Sequence, residues 1–519
     1  MNRTRRLLAV IAGLSVASLA LSACGILWDP KSPNEPSSVS QTPVVEGAPA
    51  GFEDLYAQSL DWQSCEGSGS GAFDCVTVTA PLDWSDREAG EIELAVIRRS
   101  ADNGSPIGSL LTNPGGPGAS GYDLIANSAS FAVGDELASA YDVIGFDPRG
   151  VGRSTAVTCF APAEMDAYLF DIPADPRGSQ GWEDELTVRN NEFVAACEDG
   201  SDGILPFITT DNAARDLDLL RAVLGDTKLN YIGYSYGTFL GATYAKLFPE
   251  RVGRLVLDGA IDPSVSGLEV GTTQAVGFES ALRAYMADCL DGRDCPFRGT
   301  VDEAMADLGT LLASVDRNPI SNSDGRRLGA DSLMTAIVSA LYSQDSWPYL
   351  SRALTETLSG TSETAFLLAD FYYGRAADGT YGDNSAEAFR AYNCMDYPLD
   401  TDQADQDAAE ATVKEQAPTI APYWQGVDVC EVWPAPPTGV REPIAADGAA
   451  PIVVIGTTND PATPYEWSVS LADQLSSGVL ITRVGEGHTG FNKGNDCVDN
   501  AVVLYLLDGT APTSDLRCE

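Results

Sequence analysis

Leu229-Asn-Tyr-Ile-Gly-Tyr-Ser-Tyr-Gly-Thr238 joins an apolar strand to a helix through a turn flanked by glycines. Its centre, Gly233-Tyr234-Ser235-Tyr236-Gly237, fits G-x-S-x-G. A serine nucleophile at the top of a sheet needs this context. The chain turns back in a strained conformation, glycines on either side avoid clashes, and the hydroxyl is lifted clear of the strand end. The apolar run 229–233 and the amphipathic run 238–247 supply the strand and the helix, so Ser235 is the candidate nucleophile.

The same alternation extends in both directions. Residues 92–98, 109–112, 141–146 and 254–257 read as strands, and 213–224 as a helix. Strands that are apolar throughout and alternate with helices predict an α/β fold, a mostly parallel sheet flanked by helices. Between 263 and 440 the rhythm breaks: helical runs at 277–289, 332–341 and 385–392 dominate, and no strand is evident. Strand and helix return at 451–455, 467–475, 479–484 and 498–507. A helical block inserted into one α/β sheet is the economical reading of the 519 residues.

A serine nucleophile requires a base, and His488 is the single histidine of the chain. It lies in Val484-Gly-Glu-Gly-His-Thr-Gly490, a glycine-rich loop after a strand, which suits the chain order Ser, acid, His. The acid that holds the imidazole is expected at a strand end. Asp460, beyond Gly456-Thr-Thr-Asn459 and 28 residues before His488, is preferred, and Asp258 at the end of 254–257 is the rival. An oxyanion needs backbone donors, expected from Tyr236, the residue after the nucleophile, and from Asn113-Pro-Gly-Gly-Pro-Gly118, where Gly116 can bring a bare N–H to the substrate.

Composition excludes other classes. With 75 acidic and 31 basic residues the net charge is −44, and no folded stretch is basic enough to neutralise a phosphate backbone, so nucleic-acid binding is excluded. One histidine and no C-x-x-C argue against a metal site, and no cofactor is implied.

The N-terminus reads as an export signal: Arg3, Arg5 and Arg6 precede the apolar run 7–20. Leu21-Ser22-Ala23-Cys24 matches the bacterial lipobox, so residues 1–23 are expected to be removed and Cys24 acylated. Cleavage removes three arginines and no acid, taking the net charge from −44 to −47. Acyl chains on Cys24 would anchor a soluble body to a membrane facing outwards, since each buried methylene contributes ~0.8 kcal/mol. Residues 24–51, rich in Pro and Ser, are expected to be a flexible tether. The other ten cysteines fall in neighbouring pairs, 65/75, 159/197, 289/295, 394/430 and 497/518, and an even count in an exported chain implies disulfides. Proximity alone suggests those five pairings.

Taken together, NPGGPG at 113–118, YDVIGFDPRGVGRS at 141–154, GYSYGT at 233–238, GTTNDPATP at 456–464 and GEGHT at 485–489 resemble the secreted tripeptidyl aminopeptidase family across about residues 52–519. That family consists of bacterial serine exopeptidases of the α/β-hydrolase fold, related to prolyl aminopeptidases. The resemblance implies a helical cap after the sixth strand, with core segments 52–262 and 441–519 around a cap at 263–440. It implies Ser235, Asp460 and His488 as the triad, and release of short peptides, such as tripeptides, from free N-termini; separately, a monomer is expected. Pro114 stands where prolyl aminopeptidases carry His, and Ala119 where closer relatives often carry Gly. A cell-envelope carboxylesterase is the alternative activity, and a solute-binding lipoprotein a further one. An aminopeptidase must pair the substrate ammonium with a carboxylate. Asp396, in Asn393-Cys-Met-Asp-Tyr-Pro398, resembles the cap motif and is the candidate.

Overall fold

A computed structural model describes residues 42–65, 73–400, 402–424 and 426–519. The expected signal, Cys24 and the tether up to residue 41 lie outside the described residues. The main sheet comprises β1 (Phe73–Asp83), β2 (Asp86–Arg99), β3 (Ser109–Asn113), β4 (Asp142–Phe146), β5 (Leu229–Tyr234), β6 (Val252–Asp258), β7 (Ile452–Asn459) and β8 (Gly478–Glu486). Its order is β1-β2-β4-β3-β5-β6-β7-β8, with Gln63–Ser64 added at the β1 edge and Leu516–Cys518 at the β8 edge. From β4 to β8 every pairing is parallel, while β1, β2 and β4 pair antiparallel. All five residues of β3 and of β4 are buried, as strands covered on both faces must be. The sheet is that of an α/β hydrolase.

Apart from the four-residue helices Glu53–Tyr56, ahead of the inserted block, and Ala421–Trp424, within it, the helices before the block are, in chain order, α1 (Gly121–Ala140), α2 (Pro162–Phe170), α3 (Gln180–Gly200), α4 (Thr210–Val223) and α5 (Tyr236–Leu247). The block holds α6 (Gly267–Asp291), α7 (Val301–Arg317), α8 (Ala330–Leu341), α9 (Trp347–Leu358), α10 (Glu363–Tyr372), α11 (Ser385–Asp396) and α12 (Gln403–Gln416). It is followed by α13 (Tyr465–Gln474) and α14 (Asp496–Asp508). Most of the block is built on a core of its own, with Leu282, Leu308, Leu312, Ile337, Leu354 and Phe366 packed together. It also contains a short antiparallel pair, Ile320–Ser321 with Arg327–Leu328, closed by a turn through Gly325 at φ +95°. Two-residue strands leave no alternation in the sequence to detect. The helix α1 is likewise silent in the sequence, because Ser128 and Gly134 interrupt it with non-helical angles.

The ten cysteines form Cys65–Cys75, Cys159–Cys197, Cys289–Cys295, Cys394–Cys430 and Cys497–Cys518. The expected tether needs a correction at its end. Residues 42–51 lie on the body, where Val44 N donates to Ala222 O at 2.9 Å, Arg251 donates to Gly47 O, and Ala48 packs on the sheet core. Apolar burial and backbone pairing hold this stretch despite its Pro- and Gly-rich composition.

The DPRGVG loop after β4 organises the top of the sheet. Arg149 is fully buried and grips Asp216 of α4 with two bonds of 2.7 Å, while its other guanidinium nitrogen donates to Leu82 O. Trp84 Nε1 adds a bond to Asp216 Oδ1 at 2.9 Å. The start of α11 docks on the same loop: Asn384 Nδ2 donates to Gly150 O and Val157 O, Gly152 N donates to Asn384 Oδ1, and Tyr392 OH donates to Arg149 O. This motif therefore seats α11 above the site.

Candidate active site

Ser235 occupies the junction of β5 and α5 at φ 55° and ψ −124°, a positive-φ conformation costly for any residue but Gly. Its N–H donates to Asp258 O at 2.9 Å, and Thr238 N and Oγ1 both donate to Ser235 O. The flanking glycines are required by space rather than by torsion. A Cβ on Gly233 would stand 2.2 Å from Gly237 O, and one on Gly237 would stand 2.8 Å from Asn113 O.

The NPGGPG loop is packed against this turn. Gly115 has φ +98°, and a Cβ there would lie 2.5 Å from Tyr234 O, 2.8 Å from Ser235 Cβ and 3.1 Å from Tyr236 N. Gly115 N is held by Asn113 Oδ1 at 3.0 Å, which aims the loop across the elbow. Gly116 follows at φ +106°. At Gly118 the loop runs under α11, where a Cβ would meet Ser385 O at 2.8 Å and Phe389 N at 3.0 Å.

His488 Nδ1 lies 2.9 Å from both Oδ1 and Oδ2 of Asp460. The carboxylate is itself fixed by Ala462 N and Thr463 N at 2.9 Å, Thr463 Oγ1 at 3.0 Å and Thr489 N at 3.1 Å. With Nδ1–H given to Asp460, the lone pair resides on Nε2, which is buried without a hydrogen-bond partner among the described residues. Nucleophile–base hydrogen bonds are often loose in apo enzymes. The other acid considered, Asp258, has a different task. It is fully buried and accepts from Gly490 N and Phe491 N at 2.8 Å, pinning the chain just beyond His488. Burial pushes its carboxyl up to about 6. The residue after it, Gly259, completes the link: its Cβ would stand 3.2 Å from His488 Cε1, while Asp258 O holds Ser235 N.

Asp396 requires a correction. It is only 4% exposed, and both its oxygens are taken by Thr210: Oδ1 accepts from Thr210 N at 2.9 Å and Oδ2 from Thr210 Oγ1 at 2.6 Å. A carboxylate so enclosed is not open at a mouth to receive an ammonium. The reason is packing, because Tyr397 stacks on Arg441 and Gly439 presses on the Asp396 backbone.

Sequence reasoning missed Tyr342, Thr463 and Thr210. Tyr342 O accepts from His488 N at 2.9 Å, and Thr463 Oγ1 stands 3.3 Å from His488 Nδ1. Only Thr463 left a signal, since Asp460-Pro-Ala-Thr463 is the spacing of a carboxylate that caps its own turn.

A serine raised on a strained turn, an imidazole oriented by a carboxylate and a glycine loop beside the backbone N–H of Tyr236 can together perform acyl transfer. Residues 417–518 match the family model described as TAP-like protein. The chain is 34% identical to "Serine protease Hip1" of Mycobacterium tuberculosis, covering 100% of this chain and 98% of the relative. It is 39% identical to "Carboxylesterase B" of the same organism, covering 98% and 96% respectively. Against "Tripeptidyl aminopeptidase" of Streptomyces coelicolor the identity is 31%, covering 88% and 86%.

Proposed function

The chain belongs to the TAP-like α/β-hydrolase family of tripeptidyl aminopeptidase and serine protease Hip1, and from that membership we propose a serine exopeptidase that releases short peptides, such as tripeptides, from free N-termini. Ser235 Oγ attacks the scissile carbonyl, and His488 Nε2 takes its proton. The C–N bond then breaks as the same proton passes to the leaving amine, and water, deprotonated by His488, releases the acyl group. Asp460 keeps Nδ1–H engaged, and the backbone N–H groups of Gly116 and Tyr236 receive the oxyanion. The observation that carries this reading is the bifurcated 2.9 Å contact of His488 Nδ1 with Asp460, with Nε2 left as the base.

Esterase activity is the second reading, favoured by the 39% identity to carboxylesterase B. One comparison separates the two: turnover of a tripeptide anilide with a free N-terminus, of its acetylated counterpart and of a short-chain ester. The exopeptidase reading expects the free peptide to be cleaved at least about 100-fold better than the acetylated one in kcat/KM, the loss expected for an unpaired buried charge. Equal cleavage of both peptides, or turnover of the ester alone, would replace it.

We also place the enzyme outside the cell on a lipid-modified Cys24, on the strength of Leu21-Ser-Ala-Cys24. Detergent-phase partitioning that persists in a Cys24→Ala variant would refute the anchor.

A further inference from the structure

Asp396, at the last residue of α11 in the inserted block, reaches the elbow through a directional chain of hydrogen bonds. Thr210 Oγ1 has one proton, and it donates this to Asp396 Oδ2 at 2.6 Å. The 2.5 Å contact between Thr210 Oγ1 and Tyr236 OH is then a bond in which the tyrosine donates. Thr210 N secures the other carboxylate oxygen. All three residues are buried, at 1%, 4% and 4% exposure for Thr210, Tyr236 and Asp396. Tyr236 is additionally packed against Tyr392 of α11, ring centroids 5.5 Å apart, and against Phe239 of α5.

Tyr236 is the residue whose main-chain N–H follows the nucleophile. The backbone of Ser235, on the other side of that peptide bond, is strained, and strained conformations persist only where the surroundings over-determine them. We propose that Asp396 is a positioning residue: through Thr210 it fixes the Tyr236 side chain, and with it the orientation of the oxyanion-donating N–H. The inserted block thereby completes the oxyanion site from above. This rests on the reading of Ser235 as nucleophile.

The test uses the full-length enzyme and two substrates, a tripeptide anilide with a free N-terminus and a short-chain ester. In Asp396→Asn the amide oxygen can accept from only one of the two Thr210 donors; with its NH2 facing Thr210 Oγ1 the hydroxyl must turn its proton towards Tyr236 OH, so the tyrosine-to-carboxylate direction of the chain is lost. Losing an oxyanion donor outright costs 10²–10³ in kcat, so displacing one should cost roughly 10- to 100-fold, with KM changed less than about threefold. The loss should be the same for peptide and ester. Thr210→Val and Tyr236→Phe should each give a similar fall in kcat and combine without adding, while Thr210→Ser restores activity. Those variants keep the question open to refutation if Asp396→Asn fails to fold. Loss confined to the free peptide would overturn the proposal in favour of ammonium recognition, and an unchanged kcat in Thr210→Val and Tyr236→Phe would overturn it outright. Fluorophosphonate labelling of wild-type Ser235 reports on the nucleophile separately. Labelling with unchanged variant kcat defeats this proposal alone, whereas absence of labelling defeats both readings.

Discussion

The main-chain N–H of His488 donates to the carbonyl oxygen of Tyr342 at 2.9 Å, and their rings meet edge to face with centroids 5.2 Å apart. Tyr342 follows α8 of the inserted block, so the block touches the base directly as well as the elbow. Gly487, at φ +91°, permits the approach, because a Cβ there would lie 3.0 Å from Tyr342 O. The G-E-G-H loop is thus shaped to receive the block. Tyr342→Ala leaves the carbonyl but removes the ring wall beside the imidazole. It should lower kcat about 10-fold, and Tyr342→Phe should restore it, as steady-state kinetics on a p-nitrophenyl ester would show. A purely structural Tyr342 would instead lower thermal stability and leave kcat per folded molecule unchanged.

Asp460 and Asp258 are both buried acids beside His488, and the structure separates their work. Asp460→Asn should lower kcat by about 10⁴, because an amide in place of the carboxylate favours the wrong imidazole tautomer. In Asp258→Asn the amide oxygen can still accept one of the two loop N–H groups, so the fall should be about 10-fold. Equal losses in kcat/KM would mean that the assignment of the two acids is wrong.

Glu387, near the start of α11, accepts from Cys159 N at 3.0 Å and Phe160 N at 3.2 Å, and burial pushes its carboxyl up to about 7. Burial also raises Asp258 and Asp396 to about 6. A raised acid holds its proton in the native state after the unfolded chain has lost it. Stability from these groups is therefore greatest below the ordinary carboxylate range, and declines as pH rises towards 6 for the aspartates and 7 for Glu387. Each tenfold difference in proton affinity between the folded and unfolded chain corresponds to about 1.4 kcal/mol. Melting temperature should be higher at about pH 5 than at about pH 8, and Glu387→Gln, whose amide oxygen still accepts a bond, should flatten the difference. A steeper decline in the variant would contradict the sign.

Arg149 pairs with Asp216 at zero and 2% side-chain exposure. Arg149→Ala leaves that carboxylate unpaired in the interior, a loss on the order of 3–5 kcal/mol, and should appear as a large drop in melting temperature. Because the same loop seats α11, activity should fall before the protein unfolds.

What the chain order of residues determined by itself was the chemistry. Ser235 is legible because the elbow is local: strand, glycines and helix lie within about ten residues, and their sterics need nothing distant. His488 is legible because it has no competitor in the chain. Asp460 is legible from its place after a strand. Tertiary structure decided what each acid does. Asp396 and Asp460 look alike in sequence, an aspartate in a Pro-containing turn, yet one is enclosed by Thr210 and the other faces an imidazole. Nothing local encodes that difference, because burial and partner choice come from segments far apart, Thr210 being 186 residues from Asp396. The same holds for Tyr342, brought to His488 only when the inserted helices fold back over the carboxyl ends of the strands, where the low dielectric of the packed interior turns each unpaired polar group into a cost that fixes its partner.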